Sequence, residues 1–319
     1  MKIVVLDGYT LNPGDNPWNE LEKCGDLTVH DRTRKEDFLE RARSADILLT
    51  NKTPITAEQI GQMPNLKFIS VLATGCNIVD VAAARQRGIP VSNVPIYGTD
   101  TVAQHVMALI LEHTNHVGEH ARSVAAGDWV NCLDFSYVKR PILDLGGLSL
   151  GIVGFGRIGQ RVAELGHAFG MKIFYTARST KEGIPLPARH VPMDRLFAES
   201  DVISLHCSQG PENFQFVNKA ILSLMKPTAF LINTARGTLI HEADLAQALR
   251  DHKLAGAALD VLSKEPPDPA NPLLQAPNCF ITPHIAWSSL PAGKRLMQTT
   301  GENIQAFLIG VPINRVNSP

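Results

Sequence analysis

The stretch that most restricts the fold of this chain is Gly154-Phe155-Gly156-Arg157-Ile158-Gly159. It lies directly after the apolar run Ser149 to Val153 and directly before a helical pattern in which Ile158, Val162, Leu165 and Phe169 share one face. A strand, a glycine turn and a helix in that order make the first half of a parallel βαβ unit. Gly154 permits the tight turn, Gly156 lets the backbone approach a pyrophosphate, and Gly159 lets the helix pack closely on the strand. Amides at the helix N-terminus then face the anion. This placement favours a dinucleotide site over a turn used only for packing, and Arg157 adds a charge-assisted contact at the same point.

Further short apolar runs recur along the chain: Ile47 to Leu49, Phe68 to Leu72, Ile173 to Tyr175, Val202 to Leu205, Phe230 to Ile232 and Phe280 to Thr282. Helical patterns separate them, such as Leu245 and Leu249 after an acidic start at Glu242. Strands alternating with helices predict an α/β protein with doubly wound parallel sheets. The length of 319 residues corresponds to about two such lobes. A long helical pattern from Thr101 to about Ala125 is one candidate bridge between lobes. The apolar stripe of Leu296, Ile304, Phe307 and Leu308 after Trp287 is a second. If both bridge, the first lobe is discontinuous and comprises residues 1–99 plus 288–319, with a dinucleotide-binding lobe at 100–287.

Lys and Arg number 30 against 31 Asp and Glu, a net charge of −1 that provides no single-sign field for nucleic acid or an anionic membrane. The apolar run after Met1 is too short for a signal-peptide core and reads as a first strand. Five cysteines form no C-x-x-C pair, so a reducing, cytoplasmic home is expected. His105, His113, His116 and His120 lie in one helical pattern without an H-E-x-x-H motif, and no metal site is expected.

The usual partner of such a glycine turn is an acid about 20 residues on, which binds the adenosine ribose. Here the next strand ends Tyr175-Thr176-Ala177-Arg178-Ser179-Thr180, with no carboxylate. Arg178, with Ser179 and Thr180, is placed to pair with a 2′-phosphate, so NADP(H) is favoured over NAD(H). Three more runs end on polar residues: Asn233-Thr234-Ala235-Arg236-Gly237, Asp260-Val261-Leu262-Ser263-Lys264-Glu265-Pro266, and Pro283-His284-Ile285-Ala286-Trp287. Ligands of open α/β sheets bind beyond the carboxyl ends of strands. Reduction of a 2-keto acid needs what these ends carry. Arginine forks onto the carboxylate or carbonyl oxygen, histidine gives the proton as hydride arrives, and a carboxylate orients the imidazole.

These stretches, together with Ala73-Thr74-Gly75-Cys76-Asn77-Ile78-Val79-Asp80 and Asn93-Val94-Pro95 to Val102-Ala103-Gln104-His105, resemble the D-isomer-specific 2-hydroxyacid dehydrogenase family over nearly the whole chain. The resemblance implies two Rossmann-like lobes, the first of them substrate-binding and flavodoxin-like. It makes Arg236 the substrate arginine, Glu265 the orienting acid and His284 the acid/base. Asp260 would bind the nicotinamide carboxamide. Thr74, Cys207, Thr234, Ala235 and Ala286 would line the cofactor with Gly154, Gly156, Arg157, Ile158, Gly159, Ala177, Arg178 and Ser179. Backbone amides at Ala73, Thr74 and Gly75 would receive the substrate carboxylate.

Within the family, Leu6-Asp7-Gly8-Tyr9, Asn12-Pro13-Gly14-Asp15 and His284-Ile285-Ala286-Trp287 look like the glycerate dehydrogenase (hydroxypyruvate reductase) branch, with Tyr97 and Trp287 as pocket walls. Two departures stand out. Ala177 replaces the usual NAD-reading aspartate, and His206-Cys207-Ser208-Gln209-Gly210 lacks the proline common after that cysteine position. Phosphoglycerate or D-lactate dehydrogenase chemistry is the enzymatic alternative, but Leu72 to Asn77 offers no cation for a phosphorylated substrate. A nicotinamide-sensing, corepressor-like binding protein is the other alternative, and the complete Arg236, Glu265 and His284 set argues against it. Surplus apolar residues on the Thr101 to Ala125 pattern (Ala103, Met107, Ala108, Leu111) predict a homodimer.

Overall fold

The computed structural model describes residues 1–179, 181 and 183–318. Thr180, grouped above with Arg178 and Ser179, lies outside the described residues. The chain divides into two compact units, one of Met1–Gly98 with the segment that begins at Ser288, the other of Thr99–Trp287.

In the first unit five strands run parallel: β1 (Lys2–Val5), β2 (Asp26–Val29), β3 (Ile47–Thr50), β4 (Phe68–Val71) and β5 (Val91–Ser92). Their order is β2-β1-β3-β4-β5, the flavodoxin-like winding. Every residue of β3 and β4 is buried, because helices cover both faces of a parallel sheet and leave no polar side. The Leu290–Leu308 helix returns the end of the chain to this unit, with Phe307 stacked on Phe68 at 4.7 Å. Asn317 then accepts from the Val91 amide (2.9 Å) and donates to the Ile89 carbonyl (2.8 Å), fixing the tail beside β5.

Among its described residues the second unit holds seven parallel strands: β6 (Ser149–Val153), β7 (Lys172–Thr176), β8 (Ala188–His190), β9 (Val202–Leu205), β10 (Phe230–Asn233), β11 (Gly256–Leu259) and β12 (Cys279–Ile281). They lie in the order β12-β11-β10-β9-β6-β7-β8, so the winding reverses between β6 and β9. Such a reversal opens a crevice at the carboxyl ends of the two strands. Both faces are packed. Val106 and Ile110 with Val162 and Ala163 cover Leu150 and Ile152 on one side, and Leu196, Phe197, Leu245 and Leu249 pack with Leu205 and Leu231 on the other. Among the described residues no helix is long and apolar enough to cross a membrane.

The single helix expected from Thr101 to about Ala125 is instead two, Thr99–Asn115 and Val117–Ala125, broken at His116 with φ 50°. The Glu112 carboxylate accepts from the Gly118 amide across the break (3.2 Å), meeting a donor that the second helix leaves open at its start. Of the apolar surplus on the first helix, Ala103 and Met107 are buried in this unit's own core with Leu111 packed against it, while Ala108 is exposed. Exposed apolar side chains lie further on, at Val117, Trp129, Val130, Leu133, Phe135 and Val138.

His113 stacks on Phe230 with ring centroids 3.8 Å apart. Burial first, then the nearby His116 and Arg140, pulls its pKa from 6.5 down to about 4. The unfolded chain therefore takes up a proton below pH 6.5 that the folded chain refuses until about pH 4. Stability is expected to fall as pH drops through that window, by up to about 1.4 kcal/mol per pH unit from this group. Urea midpoints measured between pH 7 and 4 should show a shallower fall in His113→Gln. The share of His206, held down to about 3 by burial, should persist in that variant.

Candidate active site

The turn after β6 shows why its glycines are separate requirements. Gly154 has φ +93°, and a Cβ there would sit 2.5 Å from the Cys207 amide nitrogen in the loop after β9. A Cβ on Gly159 would lie 2.2 Å from the Gly154 carbonyl oxygen. Gly156 differs: a Cβ there would meet nothing within 4 Å, so its backbone faces open space at the start of the Arg157–Ala168 helix. Arg157 is exposed at that helix start, and Ile158 packs on the core beneath. This open cradle is the shape a pyrophosphate requires. After β10, the Thr234 hydroxyl is buried with no hydrogen-bond partner, an acceptor or donor left for a ligand. Both observations fit a dinucleotide held by the residues named from the sequence.

Around the cradle, Cys207 accepts weakly from Asn213 Nδ2 at 3.8 Å, and burial pushes its thiol pKa up. Ala177 packs against the core, whereas Arg178 and Ser179 are exposed at the end of β7. Arg178 carries a partner that sequence reading missed: Glu212 Oε1 at 2.7 Å.

The polar strand ends meet because β10, β11 and β12 are neighbours in the sheet. Asn233, fully buried at the end of β10, accepts from the Ala235 amide (3.0 Å) and donates to the Arg236 carbonyl (2.9 Å). It thereby shapes the turn that presents Ala235 and Arg236. The Arg236 guanidinium also donates to the Ala235 carbonyl at 2.6 Å. Gly237 must lack a side chain, since a Cβ would sit 1.9 Å from the Leu262 carbonyl carbon. That close approach seats the arginine turn on the loop after β11. In that loop the Leu262 amide donates to Glu265 Oε1 (3.1 Å), and Glu265 Oε2 lies 2.6 Å from His284 Nδ1. With Nδ1 engaged, Nε2 is the nitrogen left for chemistry. His284 has φ 56°, an uncommon conformation for a residue other than glycine, held here by its surroundings.

Asp260 supplies much of that hold. It is only 1% exposed. Its carboxylate accepts from the Thr282 hydroxyl (2.6 Å), the Ile285 amide (2.9 Å) and the Ala286 amide (2.9 Å), while its own carbonyl accepts from the His284 amide (2.9 Å). Donors on both sides of His284 thus converge on one buried acid. His105 Nε2 stands 3.2 Å from the Thr282 hydroxyl and 3.7 Å from Asp260, which ties the Thr99–Asn115 helix to the same loop. Asn233, Thr282 and His105 were not singled out as site residues in the sequence. An asparagine or threonine flanking a candidate catalytic residue at a strand end was the available signal, but it does not tell a loop pin from a solvated side chain.

Within the first unit, the loop after β4 contains Ala73, Thr74 and Gly75. The Thr74 hydroxyl donates to the Val94 carbonyl (2.9 Å), Asn93 Nδ2 donates to the Thr74 carbonyl (2.6 Å), and the Val94 amide donates to the Ala73 carbonyl (3.1 Å). The Asn93-Val94 stretch therefore holds this loop by its carbonyls.

The family model for the D-isomer specific 2-hydroxyacid dehydrogenase NAD binding domain matches residues 107–286. The chain belongs to that family. It is accordingly an oxidoreductase that acts on CH–OH groups with a nicotinamide cofactor. A hydroxypyruvate reductase of Blautia hydrogenotrophica is 46% identical, covering 99% of this chain and 100% of that protein. A glycerate dehydrogenase of Methylorubrum extorquens is 39% identical, covering 89% of each chain. Among solved structures, an NADPH-dependent glyoxylate/hydroxypyruvate reductase of Sinorhizobium meliloti in complex with NADP and malonate superposes with a TM-score of 0.83 at 26% identity, covering 99% of this chain and 96% of that one.

Replacing Asp260 with Ala strands two backbone amides and the Thr282 hydroxyl in a buried site. A loss of about 3 kcal/mol in unfolding free energy is expected, on the scale of breaking a buried charged hydrogen-bond network, with a fall in kcat as the His284 loop loosens. Denaturant titration beside steady-state kinetics checks both.

Proposed function

We propose that this protein reduces hydroxypyruvate and glyoxylate to D-glycerate and glycolate, preferring NADP(H). The observation that carries the reading is the 2.6 Å contact of Glu265 with His284 Nδ1, in the loops after β11 and β12, the next two strands of the sheet beyond the one bearing Arg236. A phosphate-free 2-keto acid suits one arginine, and the names of the relatives support this substrate class.

Gly154, Gly156 and Gly159, with the amides that open the following helix, hold the pyrophosphate. Thr234, Ala235, Cys207, Asp260 and Ala286 line the rest of the nucleotide, and Arg178 with Ser179 takes the 2′-phosphate. A nicotinamide dinucleotide, when bound, supplies the hydride to the carbonyl carbon. Arg236 binds the carboxylate and polarises the carbonyl through its planar fork. His284 donates its Nε2 proton to the carbonyl oxygen as negative charge builds there, and Glu265 offsets the imidazolium charge before transfer and keeps the ring in line. In the reverse direction the same nitrogen removes the hydroxyl proton. Water then returns the histidine to its starting state.

Kinetics with hydroxypyruvate, glyoxylate and pyruvate, each with NADPH and NADH, test the reading. Hydroxypyruvate is expected to give the highest kcat/KM. Turnover of none of the three, with nucleotide still bound, would overturn the substrate class. His284→Ala should lower kcat by about 10² to 10⁴-fold, and Arg236→Lys should not restore activity because an ammonium lacks the fork.

The protein is also proposed to be a homodimer. Support comes from Trp129, Val130, Leu133, Phe135 and Val138, five exposed apolar side chains within ten residues of chain that a second copy would cover. Light scattering should give about twice the chain mass. Leu133→Asp with Phe135→Asp should shift it to one.

A further inference from the structure

The loop after β9 is where the sequence departs from the family pattern, and the structure shows how that loop is used. Asn213 ties it into a compact turn: its Oδ1 accepts from the Gly210 amide (2.7 Å), and its Nδ2 donates to the Ser208 carbonyl (2.8 Å). Within this turn the Glu212 side chain folds back over Gly210, so that a Cβ on Gly210 would sit 2.2 Å from Glu212 Oε2. Glu212 Oε1 in turn reaches Arg178 Nη2 at 2.7 Å. The missing side chain at 210, the asparagine brace and the ion pair form one arrangement. It delivers a carboxylate to the arginine that stands where a ribose phosphate is read.

We infer that Glu212 is an internal competitor for Arg178 and sets how strongly this chain discriminates NADP(H) from NAD(H). The inference rests on the NADP(H) reading of Arg178 above. A 2′-phosphate and the Glu212 carboxylate are both acceptor anions for the same guanidinium fork, and both cannot occupy it fully. Binding of NADPH must take Arg178 from Glu212 and place a phosphate of charge near −2 close to a carboxylate. NADH carries no phosphate, so it incurs neither cost. The pair therefore holds the preference for NADPH below what a free arginine would give, and the chain accepts both cofactors. At about 5 Å through a water-like medium, one carboxylate against two negative charges corresponds to roughly a tenfold change in Kd. Arg178 and Glu212 are 84% and 57% exposed, so the effect is subject to screening by salt.

The test is calorimetric titration of the full-length protein with NADPH and with NADH, without substrate, at low and at high ionic strength. In Glu212→Gln the ratio Kd(NADH)/Kd(NADPH) should rise about tenfold at low salt, and the gain should shrink near 1 M salt, where screening acts within about 3 Å. Gly210→Ala, whose methyl group displaces the folded-back glutamate, should move the ratio in the same direction. Arg178→Gln tests the underlying reading separately and should weaken NADPH binding alone. If Arg178→Gln weakens NADPH binding while Glu212→Gln leaves the ratio unchanged, the competitor role is overturned and the phosphate reading stands. If Arg178→Gln leaves NADPH binding unchanged, both fall.

Discussion

Among the described residues all twelve strands run parallel to their neighbours within each sheet, and this constraint governs where chemistry occurs. A parallel sheet must be covered on both faces, which accounts for the complete burial of β3, β4, β6, β9, β10 and β11. It also sends every strand's carboxyl end to the same edge. In the second unit that edge collects the glycine turn, the Arg236 turn, the Glu265 loop and the His284 loop without any need for sequence proximity. The reversal of winding between β6 and β9 leaves the loops of those two strands without crossover helices between them, and this is where Gly154 and Cys207 meet backbone to backbone.

Turning those loops into a fixed site requires polar groups that face inward. Asp260 and Asn233 are 1% exposed or less; Asp260 accepts from Thr282, Ile285 and Ala286 of the loop after β12, and Asn233 braces the turn that follows its own strand. A buried carboxylate is costly unless it is fully paired, and the donors flanking His284 provide that pairing. The same contacts hold His284 in a left-handed backbone conformation. Glu265 can then approach from the loop after β11, onto which the Arg236 turn packs because Gly237 has no side chain to block it.

Much of this was legible in the sequence, because the signals were local. The glycine turn, its flanking strand and its helix lie within some twenty residues, and the residues that end β10, β11 and β12 could be read from apolar runs closing on polar side chains. The break at His116 was not legible. Apolar periodicity continues across it, and the interruption is marked by the left-handed backbone of His116 and by the Glu112 side chain reaching the Gly118 amide. The burial of Ala103 and Met107 was missed for a related reason: an apolar face has the same sequence whether it meets a core or a second copy.

The sequence by itself determined the alternation of strand and helix and the glycine turn, since each is a matter of residue type and spacing along one segment, and the family resemblance pointed to Arg236, Glu265 and His284. The tertiary structure decided the rest. That Asp260 braces His284, that His105 reaches Thr282 and that Glu212 folds over Gly210 onto Arg178 are all contacts between segments separated by at least 22 residues, apart from the two-residue fold-back onto Gly210. Spacing along the chain carries no information about such pairs, because strand order in the sheet, and not sequence order, sets which loops become neighbours.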